Sequence, residues 1–314
     1  MKIAITCIQL IRDISKYLPY FEKAGVEVVV PEIRGQHLEG EALVSALEDC
    51  VGVVAGDDQF TEEVLALCPQ LKVISKWGIG VDGINRESAE KRGISITNTP
   101  GAFDHEVADV AMAYCTMLLR KLHRVDQGVR SGDWPKPAGR SLADKTIGIV
   151  GLGGIGRAIA LRSLAASMDV VGTDPSIESQ IAATELGVRV VGFEELMGVS
   201  EIVSLSCPLN SSTYHLINER SLSFMKPGGW LINVSRGPVV DTEALLKALR
   251  EGFFEGVALD VFEEEPPAEN NEIRHFENVI FGSHNASNTL EASARVHARA
   301  IENLANGLGI EILI

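Results

Sequence analysis

Residue types capable of acid–base chemistry stand just after apolar runs in the last third of the chain. Arg236 follows Leu231–Val234, Asp260 and Glu265 follow Val257–Leu259, and His284 follows Val279–Phe281. Such runs read as buried strands, and open α/β sheets bind ligands beyond the carboxyl ends of their strands. An imidazole gives or takes a proton near neutral pH. A neighbouring carboxylate favours its protonated form and fixes its orientation. A guanidinium grips a carboxylate and polarises an adjacent carbonyl. The set suits reduction of a 2-oxo acid, with hydride going to the carbonyl carbon and a proton to its oxygen. Spacing alone does not choose among Glu263, Glu264 and Glu265 as the carboxylate.

Hydride needs a carrier, and the segment TIGIVGLGGIGRAIA supplies the place for one. Gly151, Gly153 and Gly156 form G-x-G-x-x-G after an apolar run and before a helical pattern with Ala158 and Ala160. The first glycine permits a tight turn, the second lets a pyrophosphate approach the backbone, and the third allows close helix–strand packing. The helix start then offers N–H donors to the anion. Asp174 ends the next strand about 20 residues on, where a carboxylate bonds the ribose hydroxyls of NAD and repels the extra phosphate of NADP. Pro175 and Ser176 follow, with no arginine before Arg189. The expected cofactor is therefore NAD.

These residues need a scaffold, and the chain alternates strand and helix to make one. Strands are expected at Ile3–Thr6, Val26–Val30, Val51–Val54, Leu71–Ser75 and Ile94–Thr97, with helices such as Glu41–Asp49 and Thr61–Leu67 between them. A turn at Asn98–Gly101 and a long apolar helix over Glu106–Leu122, with Asp104 as its N-cap, separate this set from a second. After the Gly- and Pro-rich stretch Ser131–Ser141 come six strands: Thr146–Val150, Val170–Thr173, Ile202–Leu205, Trp230–Asn233, Val257–Leu259 and Val279–Phe281. Strand–helix alternation implies right-handed crossovers and parallel sheets. The fold class is α/β, with a smaller flavodoxin-like sheet followed by a doubly wound dinucleotide-binding sheet. A last helix, Glu291–Leu304, is expected to return to the first sheet.

Composition limits the functions. The 314 residues suffice for two domains, and 28 basic against 43 acidic residues give a formal charge of −15. Such a surface repels nucleic-acid backbones and anionic lipid. Five scattered cysteines without a C-x-x-C pair point to a reducing, cytoplasmic compartment and to no structural metal. The opening MKIAITCIQL reads as a strand rather than a signal peptide, and no apolar run is long enough to span a membrane. Of the other histidines, His37, His215, His275 and His297 have no local context that raises them. His123 sits among Arg120, Lys121 and Arg124 and reads as a solvated basic helix end, and His105 as a first-turn surface residue.

The ordered pieces ISKWGIGVDGIN, NTPGAFDHEVAD, GRSLADKTIGIVGLGGIGRAIA, CPLNSSTYHLIN, FMKPGGWLINVSRGPVVDTEALL, GVALDVFEEEPP and GSHNAS cover nearly the whole chain. In them the sequence resembles the D-isomer-specific 2-hydroxyacid dehydrogenases, most nearly the D-3-phosphoglycerate dehydrogenase branch. The resemblance implies a discontinuous substrate-binding domain, residues 1–99 plus 286–314, and an NAD-binding Rossmann domain, residues 100–285. It implies Arg236, Glu265 and His284 as the catalytic set. Gly78, Ile79 and Gly80 would bind the substrate carboxylate together with Arg236 and His284. Gly154, Ile155, Cys207, Pro208, Val234, Ser235 and Asp260 would join Gly151, Gly153, Gly156 and Asp174 around NAD, with Asp260 facing the nicotinamide amide. A homodimer is also implied.

The implied substrate pair is 3-phosphoglycerate and 3-phosphohydroxypyruvate, with glyoxylate, hydroxypyruvate or another short 2-oxo acid as the alternative. Three departures bear on this. Ser283 stands where the family commonly has proline before the histidine. The loop Ala55–Gln59 carries Asp57 and Asp58 and no cation for a phosphate. The sequence ends at Ile314, so control through the branch's C-terminal regulatory domain is not expected. A reading from another class is an NAD-sensing binding protein that performs no chemistry.

Overall fold

A computed structural model describes residues 1–33 and 35–313. The chain forms two units, Met1–Ala102 with Asn288–Ile314, and Phe103–Ser287.

In the first unit five short runs rich in Val and Ile pair side by side as a parallel sheet. They are β1 (Lys2–Ile5), β2 (Glu27–Val29), β3 (Gly52–Ala55), β4 (Val73–Lys76) and β5 (Ser95–Thr97), in the order β2-β1-β3-β4-β5. All residues of β3 and β4 are buried, because helices cover both faces of a parallel sheet. One side packs Leu43, Phe60, Val64 and Leu65 against Ala4, Val53 and Ile74. The other side receives the Leu290–Leu308 helix, the returning element expected from sequence. Ser75 Oγ donates to the Ala300 carbonyl at 2.7 Å, tying that helix to β4.

In the second unit all seven strands are parallel: β6 (Thr146–Val150), β7 (Asp169–Thr173), β8 (Arg189–Val190), β9 (Ile202–Leu205), β10 (Gly229–Asn233), β11 (Phe254–Leu259) and β12 (Val279–Phe281). Their order is β12-β11-β10-β9-β6-β7-β8, so the connectivity reverses between β6 and β9. This is the doubly wound arrangement, and its switch point lies beside the strand that leads into the glycine motif. Six of the strands are those read from the sequence. The seventh, β8, is a two-residue edge strand, too short to give an apolar pattern.

The long helix begins earlier than expected. It spans Asp104–Arg120, and Phe103, not Asp104, is its N-cap residue, without a side-chain capping bond. Asp104 does not cap its own helix because its carboxylate lies against Gly154 in the neighbouring helix, where a Cβ would collide with it. Lys121 then turns into the left-handed region, at φ +54°, and a second helix, Leu122–Arg130, follows. Among the described residues no helix is long and apolar enough to cross a membrane.

Candidate active site

The carboxyl end of β10 shows how the chain places a cation. All five residues of this strand are buried, including Asn233 at its end. The Asn233 side chain accepts from the Ser235 amide at 3.0 Å and the Ser235 hydroxyl at 2.8 Å, and donates to the Arg236 carbonyl at 2.9 Å. These bonds fold the backbone over the strand end and leave Arg236 half-buried. Gly237 comes next, and a Cβ there would run into the backbone of Phe262 and Glu263. Only glycine lets the loop after β10 lie directly on the loop after β11.

The loop after β11 carries three successive glutamates, and the structure gives each a different surrounding. Glu265 Oε1 accepts from the Phe262 amide at 2.9 Å, and its Oε2 lies 2.7 Å from His284 Nδ1. Glu263 turns the other way, 2.6 Å from His215 Nε2, and also accepts from the Thr242 amide at 3.0 Å. Glu264 is exposed. The acid before Pro266 is thus the one that meets His284. A carboxylate can only accept, so Nδ1 of His284 carries the hydrogen in that bond. His284 itself has φ +54°, a conformation rare for a side chain with a Cβ, and its amide donates to the Asp260 carbonyl at 2.7 Å.

Asp260 is 2% exposed, and protein donors meet both of its carboxylate oxygens. Oδ1 accepts from the Tyr114 hydroxyl at 3.1 Å and the Asn285 amide at 3.4 Å, and Oδ2 accepts from the Ala286 amide at 3.0 Å. The family resemblance implies that Asp260 faces a nicotinamide amide; in the structure its carboxylate clamps the loop that carries His284. Gly282 completes the clamp, since a Cβ there would strike both Asp260 and the Tyr114 hydroxyl. Asn233, Gly237, Tyr114 and Gly282 escaped sequence reasoning. A lone tyrosine among the Ala, Val and Leu of the long helix was the one available signal.

The glycine motif forms a cradle that fits a dinucleotide. Gly151 has φ +95° and lies on the backbone of Ser206 and Cys207, and a Cβ on Gly156 would hit the Gly151 carbonyl. Gly153 is exposed with open space before it, and it N-caps the Gly154–Ala165 helix without a side-chain cap. That leaves first-turn N–H groups facing the space a pyrophosphate takes. Asp174 Oδ2 accepts from the Leu152 amide at 2.7 Å and Oδ1 from the Ser176 amide at 2.8 Å, so its carboxylate is held rigidly at the strand end. Ile155 lies half-buried in the same helix. At the neighbouring strand ends Cys207, Val234 and Ser235 are buried and Pro208 is exposed. Burial pushes the Cys207 thiol up to about 11, so it is an apolar lining group and not a nucleophile.

In the first unit, the Gly78-Ile79-Gly80 turn follows β4. The Gly78 amide donates to Thr99 Oγ1 at 3.2 Å, and the Asn98 side chain donates to the Ile79 carbonyl at 2.7 Å. Gly78 is therefore spent on the fold. The Ile79 and Gly80 amides have no acceptor among the described residues.

The acidic loop before this turn differs from its sequence reading. Asp58 points into the core, where it is buried and accepts from Thr6, the Leu38 amide and the Gly56 amide. Asp57 pairs with Lys76 Nζ at 2.9 Å, so the loop does have a cation beside it. Two other histidines also depart from expectation. His123 is not solvated, as both its ring nitrogens are buried, and burial lowers its pKa. His297 is 2% exposed, with Nδ1 accepting from Trp77 Nε1 at 2.8 Å and Nε2 3.4 Å from Asp13 Oδ2. His105 is exposed in the first turn of its helix.

Comparison with known proteins places this geometry in context. Residues 112–286 match the family described as D-isomer specific 2-hydroxyacid dehydrogenase, NAD binding domain. The chain is 41% identical over 280 residues to a glyoxylate reductase of Thermococcus litoralis, covering 86% of this chain and 82% of that protein. It is 34% identical over 284 residues to a hydroxypyruvate reductase of Thermotoga maritima, covering 89% and 92%. Among solved structures, a D-lactate dehydrogenase from Aquifex aeolicus, complexed with NAD and lactic acid, superposes with a TM-score of 0.87. It is 27% identical, and the match covers 98% of this chain and 96% of that one.

Proposed function

This chain belongs to the D-isomer specific 2-hydroxyacid dehydrogenases, and from that premise we propose that it reduces short 2-oxo acids of the glyoxylate and hydroxypyruvate kind. It is an NAD-dependent oxidoreductase. The observation that carries the chemistry is the 2.7 Å pairing of His284 Nδ1 with Glu265 at the strand ends beside the dinucleotide cradle. The choice of acid rests on the relatives, whose names are glyoxylate reductase and hydroxypyruvate reductase. They favour the unphosphorylated alternative over the 3-phosphoglycerate reading of the sequence.

When bound, the reduced nicotinamide supplies the hydride that reaches the carbonyl carbon. Gly151, Gly153, Gly154, Ile155 and Gly156 hold the pyrophosphate, and Asp174 accepts from the ribose hydroxyls. Arg236 grips the substrate carboxylate and steadies the charge that develops on the carbonyl oxygen. In the first unit the Ile79 and Gly80 amides offer their N–H groups to a substrate carboxylate. Glu265 fixes the His284 ring through Nδ1, so Nε2 gives its proton to the forming alkoxide. The products are a D-2-hydroxy acid and the oxidised cofactor, and the reverse reaction returns the proton to Nε2. The same reading includes a homodimer, supported by the exposed Leu122, Val129 and Trp134 of the second unit and tested by light scattering.

NADH oxidation followed at 340 nm with glyoxylate, hydroxypyruvate, pyruvate and 3-phosphohydroxypyruvate tests the proposal. The expected result is turnover of glyoxylate and hydroxypyruvate that collapses in His284→Ala. Preference for the phosphorylated acid would overturn the substrate assignment. NADH binding without turnover of any of the four would overturn the enzymatic reading in favour of a binding protein.

A further inference from the structure

Lys76 is the last residue of β4, and its side chain is 8% exposed. Its ammonium donates to Asp57 Oδ1 at 2.9 Å and to the Trp77 carbonyl at 2.9 Å. An ammonium has three N–H groups, and the third has no acceptor among the described residues. Burying a cation with an unfilled donor is costly unless something completes it. Asp57 offsets the charge only in part, since its own side chain is 55% exposed.

The position of the ammonium narrows what completes it. A Cβ on Gly78 would lie 3.2 Å from Lys76 Nζ, and Gly78 has φ +129°. Nζ therefore touches the first residue of the turn whose Ile79 and Gly80 amides await a carboxylate. On its other flank is the Asp57 loop. Nζ thus stands between the turn and the Asp57 loop.

We propose that Lys76 is a specificity-determining residue whose third N–H bonds an oxygen on C3 of the substrate, so that the preferred substrates are 2-oxo acids bearing a C3 hydroxyl. This rests on the reading above that the Ile79 and Gly80 amides hold the carboxylate. Asp57 sets the preferred charge. With Asp57 beside it, the Lys76 ammonium meets a neutral hydroxyl without the repulsion that the Asp57 carboxylate exerts on a dianionic phosphate. Hydroxypyruvate is then favoured over pyruvate, which has a methyl group at C3, and over glyoxylate, which has no C3.

The test compares kcat/KM for hydroxypyruvate, glyoxylate and 3-phosphohydroxypyruvate in the wild type, Lys76→Met and Asp57→Asn, with NADH affinity by fluorescence and thermal melting as folding controls. Lys76→Met is expected to lower hydroxypyruvate kcat/KM about tenfold or more, mostly through KM, since a lost hydrogen bond to a substrate hydroxyl has this size or larger. Glyoxylate should change less than about threefold, within the scatter of indirect effects. Asp57→Asn should raise the ratio of phosphorylated to unphosphorylated substrate about tenfold, by removing one negative charge beside the phosphate. An equal loss on both short acids, or an unchanged ratio in Asp57→Asn, overturns the role of Lys76. If Lys76→Met does not fold, the Asp57→Asn ratio decides alone. A wild type that turns over none of these acids removes the function proposed above and this inference with it, an outcome distinct from a selective wild type whose selectivity survives the substitutions.

Discussion

The Tyr114 hydroxyl donates to Asp260 across 3.1 Å, joining the interior of the long helix to the residue whose backbone carbonyl holds the His284 amide. Asp260 is then a structural clamp behind the loop that carries His284. Asp260→Asn replaces an all-acceptor group with one that is half donor, facing the Asn285 and Ala286 amides. Leaving a buried donor unsatisfied costs about 1–3 kcal/mol. In a chain of this size that lowers Tm by roughly 2–4 °C per kcal/mol. Tyr114→Phe should cost less, about 1 kcal/mol. Thermal melting measures both, and a wild-type Tm in Asp260→Asn would show that the clamp carries no load.

The second prediction concerns how Glu265 acts. In the proposed mechanism it acts only through His284, so its effect should depend on the imidazole being present. Glu265→Gln is expected to lower kcat by about ten- to a hundredfold, and His284→Ala by about a hundredfold or more, the range of a lost general acid. The double variant should be no slower than His284→Ala, because residues acting as a unit are not additive. Additive losses in single-turnover rates would mean that Glu265 has a separate task.

How far the sequence foretold this arrangement depended on whether the cause was local. The glycine motif, Asp174 and the strand ends bearing Arg236 and His284 were legible, since turn chemistry and apolar runs are properties of adjacent residues. The choice of Glu265 over Glu263 and Glu264 was legible only through the family resemblance and not through spacing, because it turns on which glutamate faces His284 and which faces His215. Asp57 and Asp58 looked alike as neighbours in a loop. In the fold one meets Lys76 and the other disappears into the core. Lys76, His297 and Tyr114 all sat inside apolar stretches, where burial told nothing of the polar partner that tertiary packing would bring.

His297 gives a prediction about acid stability. Burial lowers its pKa below the ordinary value of 6.5, with Asp13 opposing the shift. The unfolded chain therefore takes up the proton first as pH falls. Stability is full above the unfolded value and is lost progressively as pH drops below it toward the lower folded value. Protonating Nδ1 would also end its acceptance of the Trp77 N–H bond. Thermal melts between pH 5 and 8 should show a smaller acid-side loss in His297→Gln than in the wild type. Buried His123 shifts in the same direction and accounts for part of the remainder. Trp77 fluorescence should fall with the wild-type transition, and identical pH profiles for the two proteins would refute the assignment.

The last prediction concerns the cofactor cradle. The Asp104 carboxylate lies against Gly154, the first residue of the Gly154–Ala165 helix, in a place that any side chain at 154 would fill. Burial raises its pKa, with Arg157 opposing the shift. Where the helix start offers donors to a pyrophosphate, this carboxylate adds a like charge to the anion. Through a partly screened medium a charge at that range is worth about 1 kcal/mol. Asp104→Asn should therefore tighten NADH about fivefold, the equivalent of that energy. ADP-ribose, which keeps the pyrophosphate and lacks the nicotinamide, should gain the same factor, and adding salt should shrink both gains. The gap between variant and wild type should narrow as pH falls and Asp104 takes up a proton. Fluorescence titration gives all of these affinities. Weaker NADH binding in Asp104→Asn would mean that the carboxylate accepts a hydrogen bond from the dinucleotide and that attraction, not repulsion, governs this corner of the cradle.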